Sequence, residues 1–303
     1  MPPDPWRPDG GLEPVDRVLT HDGTRVAVYD FGGTGADLLL LHATGFCAGV
    51  LLPLARHLGD RFRCWAVDLR AHGRSDPPPD GDFRWSGFAD DVASTIAQLG
   101  LDRPFVFGHS CGGAAAVLAE ESEPGTFARI YCFEPVVLPA EPPPVEVADN
   151  PMSARARRRR DTFPSAADAV ANFAAKPPFR ELDPEVLRLY VDEGLTPVPA
   201  DEGGDGKAVR LRCRRDHEAA IYAHAALHGA YAGLPAVACP VTLACGSRTD
   251  SFGPEVLGLL AARLDRARIE VLPGIGHFGP LEDPVLVATS VRGAFPETDT
   301  PEP

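Results

Sequence analysis

Two hydrophobic periods alternate along most of this chain. Short apolar runs recur at Leu38–Leu41, Phe62–Val67, Pro104–Phe107, Ala128–Phe133, Val241–Cys245 and Arg268–Leu272. Most are apolar at nearly every position, the pattern of strands buried on both faces of a parallel sheet. Between them the spacing becomes helical. Phe88, Val92, Ile96 and Leu99 follow at steps of four, four and three, which turns one apolar stripe toward a core. Further helices are expected around Leu51–Leu58, Ala114–Ala119, Pro254–Leu264 and Pro284–Ala294. Val15–Thr20 and Thr24–Phe31 flank His21-Asp22-Gly23, a short turn signal, and read as a β-hairpin.

The rhythm breaks after Pro135. From Val136 to about residue 235 no strong strand pattern recurs, and prolines and arginines punctuate helical pieces around Ala166–Ala175, Pro184–Val191 and His217–Tyr231. The expected organisation is a β-α core of residues 15–135 and 236–295, interrupted by a helical insertion of residues 136–235. That insertion falls where a lid over the strand ends would lie. The Pro-, Asp- and Gly-rich residues 1–14 and the tail 296–303 are expected to be disordered.

One junction carries a specific chemistry. The strand at Pro104–Phe107 runs into Gly108-His109-Ser110-Cys111-Gly112-Gly113, and a small-residue helix runs out. Strand, Gly-x-Ser-x-Gly, helix is the context of a nucleophile elbow, in which a sharp turn lifts a serine above the sheet edge. A phosphate loop would need Lys-Ser or Lys-Thr after the glycines, and none is present. A serine hydroxyl needs a base, and the base needs an orienting acid, in the chain order Ser, Asp/Glu, His. His277, in the loop after the last strand, fits the base. Two carboxylates compete for the acid: Asp250 and Glu134 both follow strands, and Asp250 is narrowly favoured. The oxyanion of an acyl transfer would be met by the Cys111 N–H and by a second N–H at Ala43 or Thr44, in the loop after an earlier strand.

Composition narrows the partners. A net charge of −14 argues against nucleic acid or an anionic membrane surface. No apolar run approaches membrane-spanning length, and the N-terminus lacks a signal-peptide pattern, so a soluble cytoplasmic protein is expected. The seven cysteines show no C-x-x-C spacing and read as core residues in a reducing cell. His217, His224 and His228 share one expected helix, but no H-E-x-x-H stands there to suggest a metal. Arg155, Arg157, Arg158, Arg159 and Arg160, with Arg210, Arg212, Arg214 and Arg215, read as a solvated face, with an anion-attracting entrance as the alternative. No metal or cofactor is called for, the expected partner is a small-molecule substrate, and the oligomeric state stays open.

These segments, in this order, resemble the α/β-hydrolase fold superfamily over about residues 15–295, in the group with a helical cap inserted after the sixth strand. His42-Ala43-Thr44-Gly45 resembles the family's His-Gly oxyanion loop, with Ala43 in place of the usual glycine. Asp68 to Ser75 resembles its Gly-x-Gly-x-Ser loop, with Ala71 in the first glycine's place. The resemblance implies a mostly parallel eight-stranded sheet flanked by helices and a Ser-His-Asp/Glu triad. In most members the acid follows the seventh strand, as Asp250 would; in the haloalkane dehalogenases a glutamate after the sixth strand serves, as Glu134 could. Dehalogenases and epoxide hydrolases use an aspartate nucleophile, and Ser110 argues against both activities. The expected function is esterase-like hydrolysis of a small molecule, with acyl transfer, perhydrolysis or non-catalytic ligand sensing as alternatives.

Overall fold

The computed structural model describes residues 11–140 and 150–296. In chain order the strands are β1 (Asp16–Leu19), β2 (Arg25–Gly33), β3 (Ala36–Leu41), β4 (Phe62–Asp68), β5 (Phe105–His109), β6 (Arg129–Phe133), β7 (Thr162–Phe163), β8 (Leu195–Pro197), β9 (Val209–Leu211), β10 (Val241–Gly246) and β11 (Ala267–Leu272). Eight of them form one sheet in the order β1-β2-β4-β3-β5-β6-β10-β11. The pairs β1/β2 and β2/β4 are antiparallel, and every other neighbouring pair is parallel. Helices Trp85–Leu99, Cys111–Ser122 and Pro254–Ala261 carry the parallel crossovers.

Burial follows the period of two. Leu38 and Leu40 of β3 join one apolar cluster with Phe107 and Tyr131, while Leu39 and Leu41 join another with Val106 and Ile130. The two clusters lie on opposite faces of the sheet, which explains why β3 is apolar at consecutive positions. All seven cysteines are buried and unpaired.

Between β6 and β10 the described chain forms helices Pro151–Arg158, Ala166–Ala174, Pro184–Gly194, Arg215–His224 and Ala230–Gly233. Their starts are written locally. Asn150 and Asp183 each accept two backbone N–H bonds as N-caps with proline next in line, and Ser165 accepts one from Asp168. The expectation of a purely helical insertion is corrected here, because β7, β9 and β8 form a small antiparallel sheet. At two or three residues each, these strands are too short to leave a periodic signal. The single helix expected over His217–Tyr231 is also corrected. It ends at His224, and the chain resumes after Gly229, whose φ of 67° is left-handed.

The ends of the chain differ in part from expectation. Leu12 is buried, and its N–H donates to Glu193 Oε1 at 2.7 Å, so residues 11–14 are tied to the inserted segment. The remainder of the expected disorder, residues 1–10 and 297–303, lies outside the described residues. No helix among the described residues is long and apolar enough to cross a membrane.

Candidate active site

Ser110 occupies the turn between β5 and the helix Cys111–Ser122, with φ 55° and ψ −112°. A side chain in that region is strained, and such strain persists only where the surroundings impose it. The surroundings are two glycines. A Cβ on Gly108 would stand 2.6 Å from the Gly112 and Gly113 backbone, and one on Gly112 would stand 2.5 Å from the Leu41 carbonyl oxygen. The turn is clamped from its neighbour as well: the Ser110 N–H donates to Phe133 O, and Ser110 O accepts from Val136 N–H. Cys111 opens the helix, so its N–H has no carbonyl of its own helix to meet. Burial pushes the Cys111 thiol up to about 12, which keeps it protonated beside the serine.

His277 Nδ1 lies 2.7 Å from Glu134 Oε2. Glu134 follows β6, is fully buried and, like Ser110, holds a positive φ, 46°. Its carboxylate collects two further donors, Gly246 N–H at 3.0 Å and Thr249 Oγ1–H at 2.7 Å. Three donors on one buried carboxylate offset the loss of its water. Asp250, the carboxylate narrowly favoured from sequence, is exposed, and its Oδ1 accepts from Ser251 Oγ. The loop after β10 therefore supplies Thr249 to hold Glu134, and the structure brings Glu134 rather than Asp250 to the imidazole. His109 adds a brace: its Nε2–H donates to the His277 carbonyl at 2.9 Å, fixing the loop that carries His277.

The loop after β3 is held by two buried imidazoles. His42 Nδ1–H donates to Ala43 O, and its Nε2 accepts from Leu69 N–H at 3.0 Å. His72 Nδ1–H donates to Arg70 O, and its Nε2 accepts from Gly45 N–H at 2.9 Å. Each ring donates through one nitrogen and accepts through the other, which defines a neutral tautomer. Burial lowers His42 to about 4, and burial with the neighbouring His42 lowers His72 to about 3. The loops 42–46 and 68–75 thus lock each other, with Ala43 and Thr44 buried between them. The His42 carbonyl also accepts Gly112 N–H, which ties this loop to the elbow. Ala71 adopts φ 62°, so the residue in the first glycine's place keeps the glycine conformation.

The inserted segment closes the other side. Phe46 packs on Phe179, Tyr190 and Phe278 with ring centroids 5.2–5.6 Å apart. Arg159, which the sequence places in a run of arginines expected on a solvated face, turns inward: Nη1 meets Glu218 Oε2 at 2.5 Å and Nη2 donates to the Tyr190 hydroxyl at 2.9 Å. A Cβ on Gly45 would stand 2.9 Å from Glu218 Oε1, so this ion pair lies directly on the loop that holds Thr44. Arg159 follows the last residue of the helix Pro151–Arg158 with extended backbone, φ −68° and ψ 147°, so no periodicity in the arginine run marks it. Arg155, Arg157, Arg158 and Arg160 are exposed.

The three histidines do not converge. His228 Nε2 lies 2.9 Å from Val136 O with its ring on Trp85, and His217 packs on Phe83. Among the described residues no cluster of metal-ligating side chains occurs.

Sequence comparison finds hydrolases. A 2-(acetamidomethylene)succinate hydrolase from Mesorhizobium japonicum is 29% identical over 168 residues, 55% of this chain and 57% of the relative. An N-formylmaleamate deformylase from Pseudomonas putida is 30% identical over 119 residues, 39% of this chain and 44% of the relative. The matches span about half the length of these curated relatives. Among solved structures, an E-2-(acetamidomethylene)succinate hydrolase superposes with a TM-score of 0.76 at 22% identity, covering 92% of this chain and 97% of that one. An enol-lactonase from Burkholderia xenovorans gives 0.70 at 19% identity, covering 92% and 99%. At these identities the superpositions establish a shared fold: a mainly parallel eight-stranded sheet flanked by helices. The model of the alpha/beta hydrolase family matches residues 38–290, and the chain belongs to that family.

Proposed function

We propose that this protein is a cofactor-independent serine hydrolase that cleaves an ester or related acyl bond of a small molecule. The observation that carries this reading is the 2.7 Å contact of His277 Nδ1 with the buried Glu134, in a chain whose Ser110 sits at a strained elbow. Glu134 accepts a hydrogen bond from Nδ1–H and so leaves Nε2 as the base. His277 takes the Ser110 proton as Oγ attacks the acyl carbon, and the developing oxyanion meets the N–H groups of Cys111 and Thr44, with Ala43 shaping that loop. The imidazolium then protonates the leaving group. Water, deprotonated by the same imidazole, attacks the acyl-serine, and the acid is released as the imidazolium returns that proton to Ser110 Oγ. Every proton moves between these side chains, water and substrate.

The relatives' names support a breadth beyond oxygen esters. The substrates named for two of them carry an acetamido group and an N-formyl group, so N-acyl bonds belong in the proposed class. The segment between β6 and β10 serves as the cap, and the Arg159–Glu218–Tyr190 group forms its polar floor against the oxyanion loop. The test is Ser110→Ala, with turnover of p-nitrophenyl acetate and of an N-acyl analogue, and fluorophosphonate labelling of the intact protein. The reading predicts loss of both labelling and turnover with folding retained. Undiminished labelling of the variant would remove Ser110 from the role of nucleophile.

A further inference from the structure

A second cleft, of about 340 Å³, runs along the seam between the core and the cap. Five arginines line it: Arg17 and Arg74 from the core, and Arg210, Arg212 and Arg214 from the cap side. Its single lining carboxylate, Asp76, is already bonded to Arg25. This concentration of positive charge stands on a chain whose net charge is −14.

The arginines are held in place, and their hydrogen-bonding capacity is only partly used. Arg17 Nη1 donates to Arg74 O, and Arg212 Nε donates to Leu195 O, each at 3.0 Å. Those backbone anchors orient both guanidinium groups. Among the described residues neither forms an ion pair with a carboxylate within 4.0 Å. Arg74 is paired with Glu13 at 3.1 Å and Glu193 at 3.6 Å, Arg210 is paired with Glu202, and Arg214 reaches Asp161 at 3.9 Å. Two N–H groups stay without an acceptor although buried, Arg74 Nε and Arg214 Nη1. These two atoms carry almost no exposed surface, so a ligand in the cleft would meet the other N–H groups of its arginines. A guanidinium fork matches the paired oxygens of a carboxylate or phosphate.

We propose that this seam cleft binds a small polyvalent oxyanion, a molecule with two or more carboxylate or phosphate groups. One group meets Arg17 and Arg74 on the core wall while another meets Arg210, Arg212 and Arg214 on the cap wall. Such a ligand bridges the two parts of the molecule and stabilises the state in which the cap is seated, by mass action on the folded form. Ser110, His277 and Glu134 do not line this cleft, and the proposal does not depend on the hydrolase reading.

The experiment is a titration of the full-length protein with sodium pyrophosphate and with sodium citrate, followed by calorimetry and by thermal melting. Sodium chloride at matched ionic strength is the reference, because screened surface charge responds to any salt. The expected result is saturable binding of at least one probe, with a melting temperature that rises beyond the chloride reference. The tighter of the two arms identifies phosphate or carboxylate as the favoured group. In Arg17→Gln/Arg212→Gln that affinity drops by about tenfold or more, as loss of charge-assisted bonds requires. If the double variant does not fold, Arg212→Gln alone carries the comparison. Absence of saturable binding by both probes, or equal affinity in the folded variant, overturns the proposal. Both readouts are of binding, so their failure says nothing against the catalytic assignment, and the reverse is also true.

Discussion

Glu134 and Asp250 stand at the ends of neighbouring parallel strands, and the difference between them is one of reach. Glu134 is fully buried with His277, Gly246 and Thr249 as donors, whereas Asp250 is exposed and bonds to its own neighbour. Removing the Glu134 charge leaves an imidazole without the group that fixes its tautomer. By analogy with the loss of a triad carboxylate, Glu134→Gln is expected to lower kcat by about 10³–10⁴-fold. Asp250→Asn is expected to change it by less than about threefold, since surface substitutions away from such contacts have small effects. Steady-state kinetics on one ester substrate decide between them, and the opposite ranking would transfer the acid role to Asp250. Arg159 teaches the same lesson at another position. Its type and neighbours in sequence match a solvated run, but the helix ends at Arg158, and Arg159, with extended backbone, meets Glu218 and Tyr190.

At the scale of elements, the site is a set of strand ends fastened to one another. The elbow is locked between Leu41 of β3 and Phe133 of β6, and the loop after β3 is locked to the loop after β4 through His42 and His72. The latter loop is in turn pinned to the helix Trp85–Leu99, where Arg70 makes paired bonds to the buried Asp91. Because β3 and the elbow helix touch through backbone, there is no side chain to give way. Gly112→Ala would set a methyl 2.5 Å from the Leu41 carbonyl oxygen. Overpacking of that kind costs about 1–3 kcal/mol, and here it also moves the Cys111 N–H. The variant is expected to melt several degrees lower and to lose activity beyond its loss of folded fraction, measured by calorimetry and kcat on the same sample. A variant that matches wild type in both would mean that the elbow is not as tightly closed as the backbone contact requires.

For the whole molecule, acid is the condition under which these fastenings are tested. His72 is held near 3 in the folded chain against an ordinary 6.5. The unfolded state therefore binds a proton that the folded state refuses. The stabilisation is complete above about pH 6.5 and is lost as pH falls toward 3, at about 1.4 kcal/mol per pH unit for one proton. In His72→Gln, which can still accept from Gly45 N–H and donate to Arg70 O, that proton is gone. The unfolding free energy of the variant is expected to fall less steeply between pH 6 and 4, by about 1.4 kcal/mol per unit, in urea titrations. Equal slopes would mean that His72 is protonated in the folded protein.

The sequence by itself determined the features that depend on neighbours within a few positions. The β-α alternation, the elbow glycines around Ser110 and the loop position of His277 are all local, and local periodicity and turn chemistry write them into the chain. Only the tertiary structure decided the features that depend on which strand ends lie side by side. Glu134 and His277 are 143 residues apart and meet because β6 pairs with β10 and β10 with β11, while the short ribbon β7-β9-β8 forms across the inserted segment. The same holds for the Arg159–Glu218 pair, for the seam of arginines, and for Leu12 tied to Glu193 across 181 residues. A carboxylate or guanidinium carries the same letter whether solvated or buried; its role comes from partners that folding brings within 3 Å, and no periodicity along the chain records them.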